Sequence, residues 1–111
     1  MGGEKVNRPT VGFAVIYRWK LKPGREEAFR QAWEATTLDL KERRSGLGSR
    51  LHQAADGTWV AYAQWPSRET WARSRDLGSV DPEASAAMAA AIEESFDHVE
   101  LHPIRDLLDR G

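Results

Sequence analysis

One stretch, Asp56–Trp71, limits what this chain can become: a turn, a covered strand, a stop and a helix start follow one another without a gap. Ala55-Asp56-Gly57 is a hairpin signal, because Gly accepts the positive φ that tight hairpin turns require. Thr58 to Trp65 is β-branched, aromatic or small at nearly every position, the composition of a strand covered on both faces. Pro66 has no N–H to give a sheet, so the strand ends there. Ser67 can cap a helix with its hydroxyl, and Glu69 and Thr70 fall in the first turn. The alternation along the strand puts Trp59, Ala61, Ala63 and Trp65 on one side and Val60, Tyr62 and Gln64 on the other. Two indoles with two methyls between them make a floor with room above it, and Trp71, in the following helix, is placed to close one end. Packing alone accounts for most buried tryptophans. Trp65, where strand passes into helix, is the one nearest a cavity mouth.

The remaining elements follow from periodicity. Thr10 to Leu21 is the first strand, with a large face (Val11, Phe13, Val15, Tyr17, Trp19, Leu21) and a face that begins small (Gly12, Ala14, Ile16) and ends charged (Arg18, Lys20). A small apolar face opposite a covered aromatic one is expected to pack against another sheet, which in a chain of 111 residues means a second subunit. Lys22-Pro23-Gly24 turns into a helix over Arg25–Arg44, whose buried stripe is Phe29, Ala32, Trp33, Thr36 and Leu40. Ser49 to Ala54 is a short strand, and Ser67 to Leu77 the helix after the organising strand. Asp81-Pro82 is a helix start, and the pattern predicts helix from Glu83 to Ser95. The last strand is expected over Asp97–Ile104. The order β-α-β-β-α-(α)-β, two βαβ halves joined by a hairpin, predicts an α+β fold of the ferredoxin-like kind, an antiparallel sheet with helices on one face. Residues 1–9, polar and Gly-rich, are expected to be loosely held, and 10–108 to form one domain.

Composition removes several function classes. With no cysteine there is neither a disulfide nor thiolate chemistry, which fits the cytoplasm. No apolar run approaches the roughly 20 residues a membrane helix needs. Net charge is -1 with basic residues dispersed, so no footprint for nucleic acid or anionic lipid is present. An RNA-recognition module shares the element order, but the third strand lacks its aromatic pattern. There is no G-x-S-x-G, H-E-x-x-H, P-loop or G-x-G-x-x-G. His98-Val99-Glu100-Leu101-His102 has metal-ligand character, because its three polar groups share a strand face. They spread too far for one ion, so they are read as a polar strip at a subunit contact and no metal is assigned. Arg68, Arg73 and Arg75 are read as a solvated helix face, with an anion-facing rim as the alternative.

Tyr17-Arg-Trp-Lys-Leu-Lys-Pro-Gly-Arg-Glu-Glu-Ala-Phe29, Gly46-Leu-Gly-Ser49, Asp56-Gly-Thr58 and above all Ala61-Tyr-Ala-Gln-Trp-Pro-Ser-Arg-Glu-Thr-Trp71 resemble the antibiotic biosynthesis monooxygenase family over about residues 10–107. The resemblance implies a ferredoxin-like subunit that pairs sheet to sheet as a dimeric α/β barrel, hence a homodimer. It also implies oxidation of phenols, anthrones or quinols without a cofactor. By the same resemblance Trp65 matches the family's tryptophan at the end of the third strand and is the catalytic candidate. The polyketide-oxidising members carry Asn where this chain has Ala61, Tyr where it has Trp71, and Arg where it has Met88. The haem-degrading branch carries Asn at Tyr17 and a ligating His without counterpart in residues 72–90, so haem degradation is not expected. The implied substrate pocket is Tyr17, Trp19, Trp59, Ala61, Ala63, Trp71 and Met88 around Trp65. Two functions remain in view: a cofactor-independent monooxygenase, and a non-catalytic aromatic binder or accessory subunit with the same fold.

Overall fold

The strand β1, Phe13–Leu21, sits inside the sheet and pairs with three others. The structure, a computed structural model, describes residues 10–108, so the expectation for residues 1–9 lies outside the described residues. After β1 come α1 (Glu26–Arg43), β2 (Ser49–Gln53), β3 (Trp59–Trp65), α2 (Arg68–Asp76), α3 (Pro82–Ala91), β4 (Ile92–Ser95) and β5 (Val99–Leu101). The sheet is antiparallel in the order β2-β3-β1-β4, with β5 also on β1. This is the ferredoxin-like α+β fold.

Local chemistry sets the boundaries. The β2–β3 hairpin closes with Ala54 N donating to Thr58 O at 2.7 Å and Thr58 N to the Asp56 carboxylate at 2.9 Å, while Gly57 takes φ +92°. Ser67 caps α2 by accepting from Thr70 N at 3.1 Å, and Asp81 caps α3 by accepting from Ala84 N at 3.1 Å, with Pro82 opening the helix. Gly12 precedes β1 rather than serving its small face. A Cβ there would lie 2.3 Å from Pro66 O, so the strand end can approach the β3–α2 corner only as glycine.

Two expectations are corrected. The third helix ends at Ala91, not Ser95: Ile92–Ser95 is β4, paired with Trp19–Leu21 across a register shift at Lys20/Leu21. The last strand is shorter than 97–104. Only Val99–Leu101 pairs, and it lies beside the other half of β1, Ala14 to Ile16. The edge beside β1 is thus one line in two pieces, joined where Phe96 N donates to Arg18 O at 3.0 Å.

All three helices pack on the face of Phe13, Val15, Trp65 and Ala61. The core there is in two parts. Phe13, Val15, Trp65 and Trp71 form one, flanked by Tyr17, Leu40, Ala63 and Ala72. Leu21, Phe29 and Ala91 form the other, flanked by Trp19, Trp33, Leu51, Trp59, Met88 and Ile92. No helix among the described residues is long and apolar enough to cross a membrane.

Candidate functional site

A cavity of about 300 Å³ separates the two parts of the core. Its floor is β1 and β3, where Tyr17 stands opposite Ala61 and Val15 opposite Ala63 in the antiparallel register. Opposite pairs on one sheet face put a large ring beside a methyl, so space is left above the methyls. The other wall is α1, through Trp33, Thr36, Thr37 and Leu40, with Met88 and Ser85 of α3 and the Gly46–Ser49 loop completing it. The volume lies at the lower end of the roughly 300–1,000 Å³ typical of small-molecule sites.

Besides the polar residues Thr36, Thr37, Ser49, Gln64 and Ser85 of the lining, two aromatic side chains bring donors to this largely apolar space. The Tyr17 hydroxyl accepts from the Trp71 indole Nε1 at 2.9 Å, and its own proton has no acceptor among the described residues. Burial pushes the Tyr17 phenol above its ordinary pKa; the Trp71 donation and the nearby Arg75 pull it down, and Glu100 pushes it up. It therefore stays a neutral donor at neutral pH. The second donor is Trp65, whose side chain is 4% exposed. Its indole N–H finds no acceptor among the described residues and is not sealed off, and the residue lines this cavity as well as a neighbouring one. Among the described residues the lining contains no carboxylate, imidazole or amine. The site can thus hold a planar apolar body and donate to an oxygen on it, but it offers no strong base.

A model of the family described as antibiotic biosynthesis monooxygenase matches residues 12–94. The chain belongs to the antibiotic biosynthesis monooxygenase family. Among solved structures it is similar to a variant of SnoaB, a cofactor-independent oxygenase from Streptomyces nogalater: TM-score 0.72, 16% identity, 90% of this chain and 100% of that one. Rv0793 from Mycobacterium tuberculosis aligns at TM-score 0.69 and 20% identity over 86% of this chain and 98% of its own. PA3566 from Pseudomonas aeruginosa aligns at 0.66 and 16%, over 89% and 100%. At these identities the likeness is one of fold. A comparison with curated proteins finds no match.

Six of the eight residues expected in this family member's pocket line the cavity: Tyr17, Trp19, Ala61, Ala63, Trp65 and Met88. Trp59 does not. It lies one pair further along the sheet, opposite Trp19, and packs edge-on against Phe29 at 6.1 Å. Trp71 does not line it either, because its N–H is given to Tyr17 and its ring is 3% exposed within the first part of the core. It borders a second, adjoining cavity. The α1 wall was read from sequence only as a buried stripe. The overlooked signal is Thr36 within that stripe, with Thr37 beside it, since hydroxyls facing a fully packed core would need partners. Thr36 has only the Met88 sulfur, at 3.8 Å.

The polar strip His98, Glu100 and His102 is also corrected. Glu100 stands opposite Val15, so the strip faces the helices and not a subunit contact. His98 packs against Trp71 at 5.6 Å and Tyr17 at 6.1 Å, and His102 against Phe13 at 5.3 Å. Glu100 accepts from Arg68 at 2.8 Å and meets His98 at 3.2 Å, and these contacts, Arg68 first, hold its carboxyl below the usual range. Among the described residues no group of three His, Asp or Glu could hold a metal ion. Arg68 and Arg75 are not merely solvated: their guanidinium carbons lie 5.4 and 5.0 Å from the Trp71 ring centroid.

Proposed function

We propose that this protein is a cofactor-independent monooxygenase of an aromatic phenol, anthrone or quinol. The observation that carries the reading is a cavity walled by Trp19, Trp33 and Trp65 whose floor carries two aromatic donors, the Tyr17 O–H and the Trp65 indole. The family and the likeness to SnoaB, a cofactor-independent oxygenase, support it. In this reading the ring lies over Ala61 and Ala63, and the two donors hold its oxygen as phenolate or enolate. The anion gives one electron to dioxygen, the radical pair joins to a peroxide, and the peroxide loses water to leave a quinone. The substrate proton leaves to solvent, since the lining offers no base. Dry walls serve the chemistry by keeping the anion reactive.

The protein works, in this reading, as a homodimer in the cytoplasm. Half-buried Ile16, Val60 and Tyr62 on the sheet face away from the helices support the first, and the absence of cysteine the second.

A second reading, an aromatic binder without turnover, has a specific observation in its favour. Ala61, Trp71 and Met88 stand where the resemblance implies Asn, Tyr and Arg, and the Trp71 N–H is already used. Oxygen consumption with a panel of anthrones and naphthohydroquinones separates the two. Turnover above the uncatalysed rate supports the oxygenase, with Trp65→Phe lowering kcat more than affinity because its donor serves the developing anion. Tight binding with no oxygen uptake leaves the binder. Ala61→Phe fills the space between the indoles and should abolish either behaviour while the protein stays folded.

A further inference from the structure

The cavity does not end at Tyr17 and Trp65. A second one, of about 290 Å³, adjoins it and shares Tyr17, Thr36, Leu40, Trp65 and Ser85 with it. The two chambers differ in chemistry. The first contains no charged group in its lining. The second is bounded by Trp71, Ser74 and the turn Gly78 to Val80, and among the described residues Arg75 is the only ionic side chain in either lining. Arg75 is held by its guanidinium lying over the Trp71 ring at 5.0 Å, and it makes no ion pair with a carboxylate among the described residues. Arg68, on the same ring, is already taken by Glu100. A guanidinium stacked on an indole keeps its N–H fork free at the edge, the geometry that binds a carboxylate through two parallel hydrogen bonds.

We infer that the ligand is an aromatic acid: a planar ring system in the first chamber carrying a carboxylate arm that passes Tyr17 and Trp65 to reach Arg75 in the second. This rests on the aromatic-ligand reading of the first chamber and adds a substrate class to it. The arm also fixes which ring oxygen comes under the two donors, because a body anchored at one end can present only one edge to them.

The test uses a matched pair of probes, anthracene-2-carboxylate and 2-(hydroxymethyl)anthracene, with dissociation constants from quenching of tryptophan fluorescence. The parent protein should bind the acid about tenfold more tightly than the alcohol. Arg75→Gln should erase that preference and leave the alcohol unchanged, Arg75→Lys should keep part of it, and Arg73→Gln, about half a turn away on α2 and outside the lining of the second chamber, should keep all of it. Equal acid-to-alcohol ratios in the parent and Arg75→Gln overturn the inference while the aromatic site stands. An equal loss in Arg73→Gln also overturns it, since the effect would then be general charge. Failure of both probes to bind the parent overturns the aromatic-ligand reading itself.

Discussion

The two faces of the one sheet are built from the same strands and differ in bulk and in burial. Toward the helices stand Phe13 and Val15, both 0% exposed, with Trp65 and Ala61. Away from them stand Ile16, Val60 and Tyr62, half-buried, and Val99, 41% exposed. Among the residues named on this side Ala14, 1% exposed, is the one that is closed over, where Tyr62, Leu101, Pro103 and residues 105–108 gather around it. The difference teaches where a small chain places its bulk. Most rings go to the side where helices can wrap them, and the aliphatic groups Ile16, Val60 and Val99, with Tyr62, to the side that a flat partner can cover.

The sharpest way to break the comparison is at its buried end. Phe13→Ala removes a ring that touches Trp71 at 5.2 Å and His102 at 5.3 Å, and should cost about 3–5 kcal/mol in denaturant unfolding. The open face should answer differently. Ile16→Asp should leave the chain folded by circular dichroism but shift its mass in light scattering from twice 12.5 kDa to one chain. A stable dimer in that variant would show that the open face is not the contact.

Polar groups sharpen the contrast further. Tyr17→Phe leaves the Trp71 N–H buried without its acceptor, a loss of about 1–3 kcal/mol, and removes one of the cavity's two aromatic donors. Ligand affinity and any turnover should fall together. The smallest effect concerns acid. The Glu100 carboxyl is held below its ordinary value by Arg68 and then His98, so its contribution is present above the unfolded value near pH 4.3 and is lost as pH falls below it. Thermal melts across that window should be flatter for Glu100→Gln than for the parent.

The fold was readable because each strand carried its own alternation, and because Ser67, Asp81-Pro82 and Gly57 announced turns and caps by local chemistry. The stop at Ala91 was not. Ile92-Glu93-Glu94-Ser95 continues the alanine-rich run without a breaker, and what makes it a strand is the edge offered by Trp19–Leu21, more than seventy residues earlier in sequence. The cavity floor was likewise legible as methyls between indoles on β3. Its roof depended on how α1 crosses the sheet, and no periodicity within α1 encodes that crossing. Trp71 was placed near the right space for the wrong reason: the contact with Tyr17 that withdraws its N–H spans 54 positions in the chain.

The gap between the two parts of the core gives the protein a thermodynamic handle on its own occupant. With Phe13 and Trp71 on one side and Phe29 and Leu21 on the other, the halves are joined through the sheet beneath and through α1, which gives Leu40 to the first and Phe29 and Trp33 to the second. A molecule seated between them binds the folded chain and has nothing comparable to bind in the unfolded one. At a hundred times its dissociation constant it adds about 2.7 kcal/mol to folding. The melting temperature thereby becomes an assay that needs no knowledge of the reaction, and a library of aromatic acids ranked by it would report which compound completes the core.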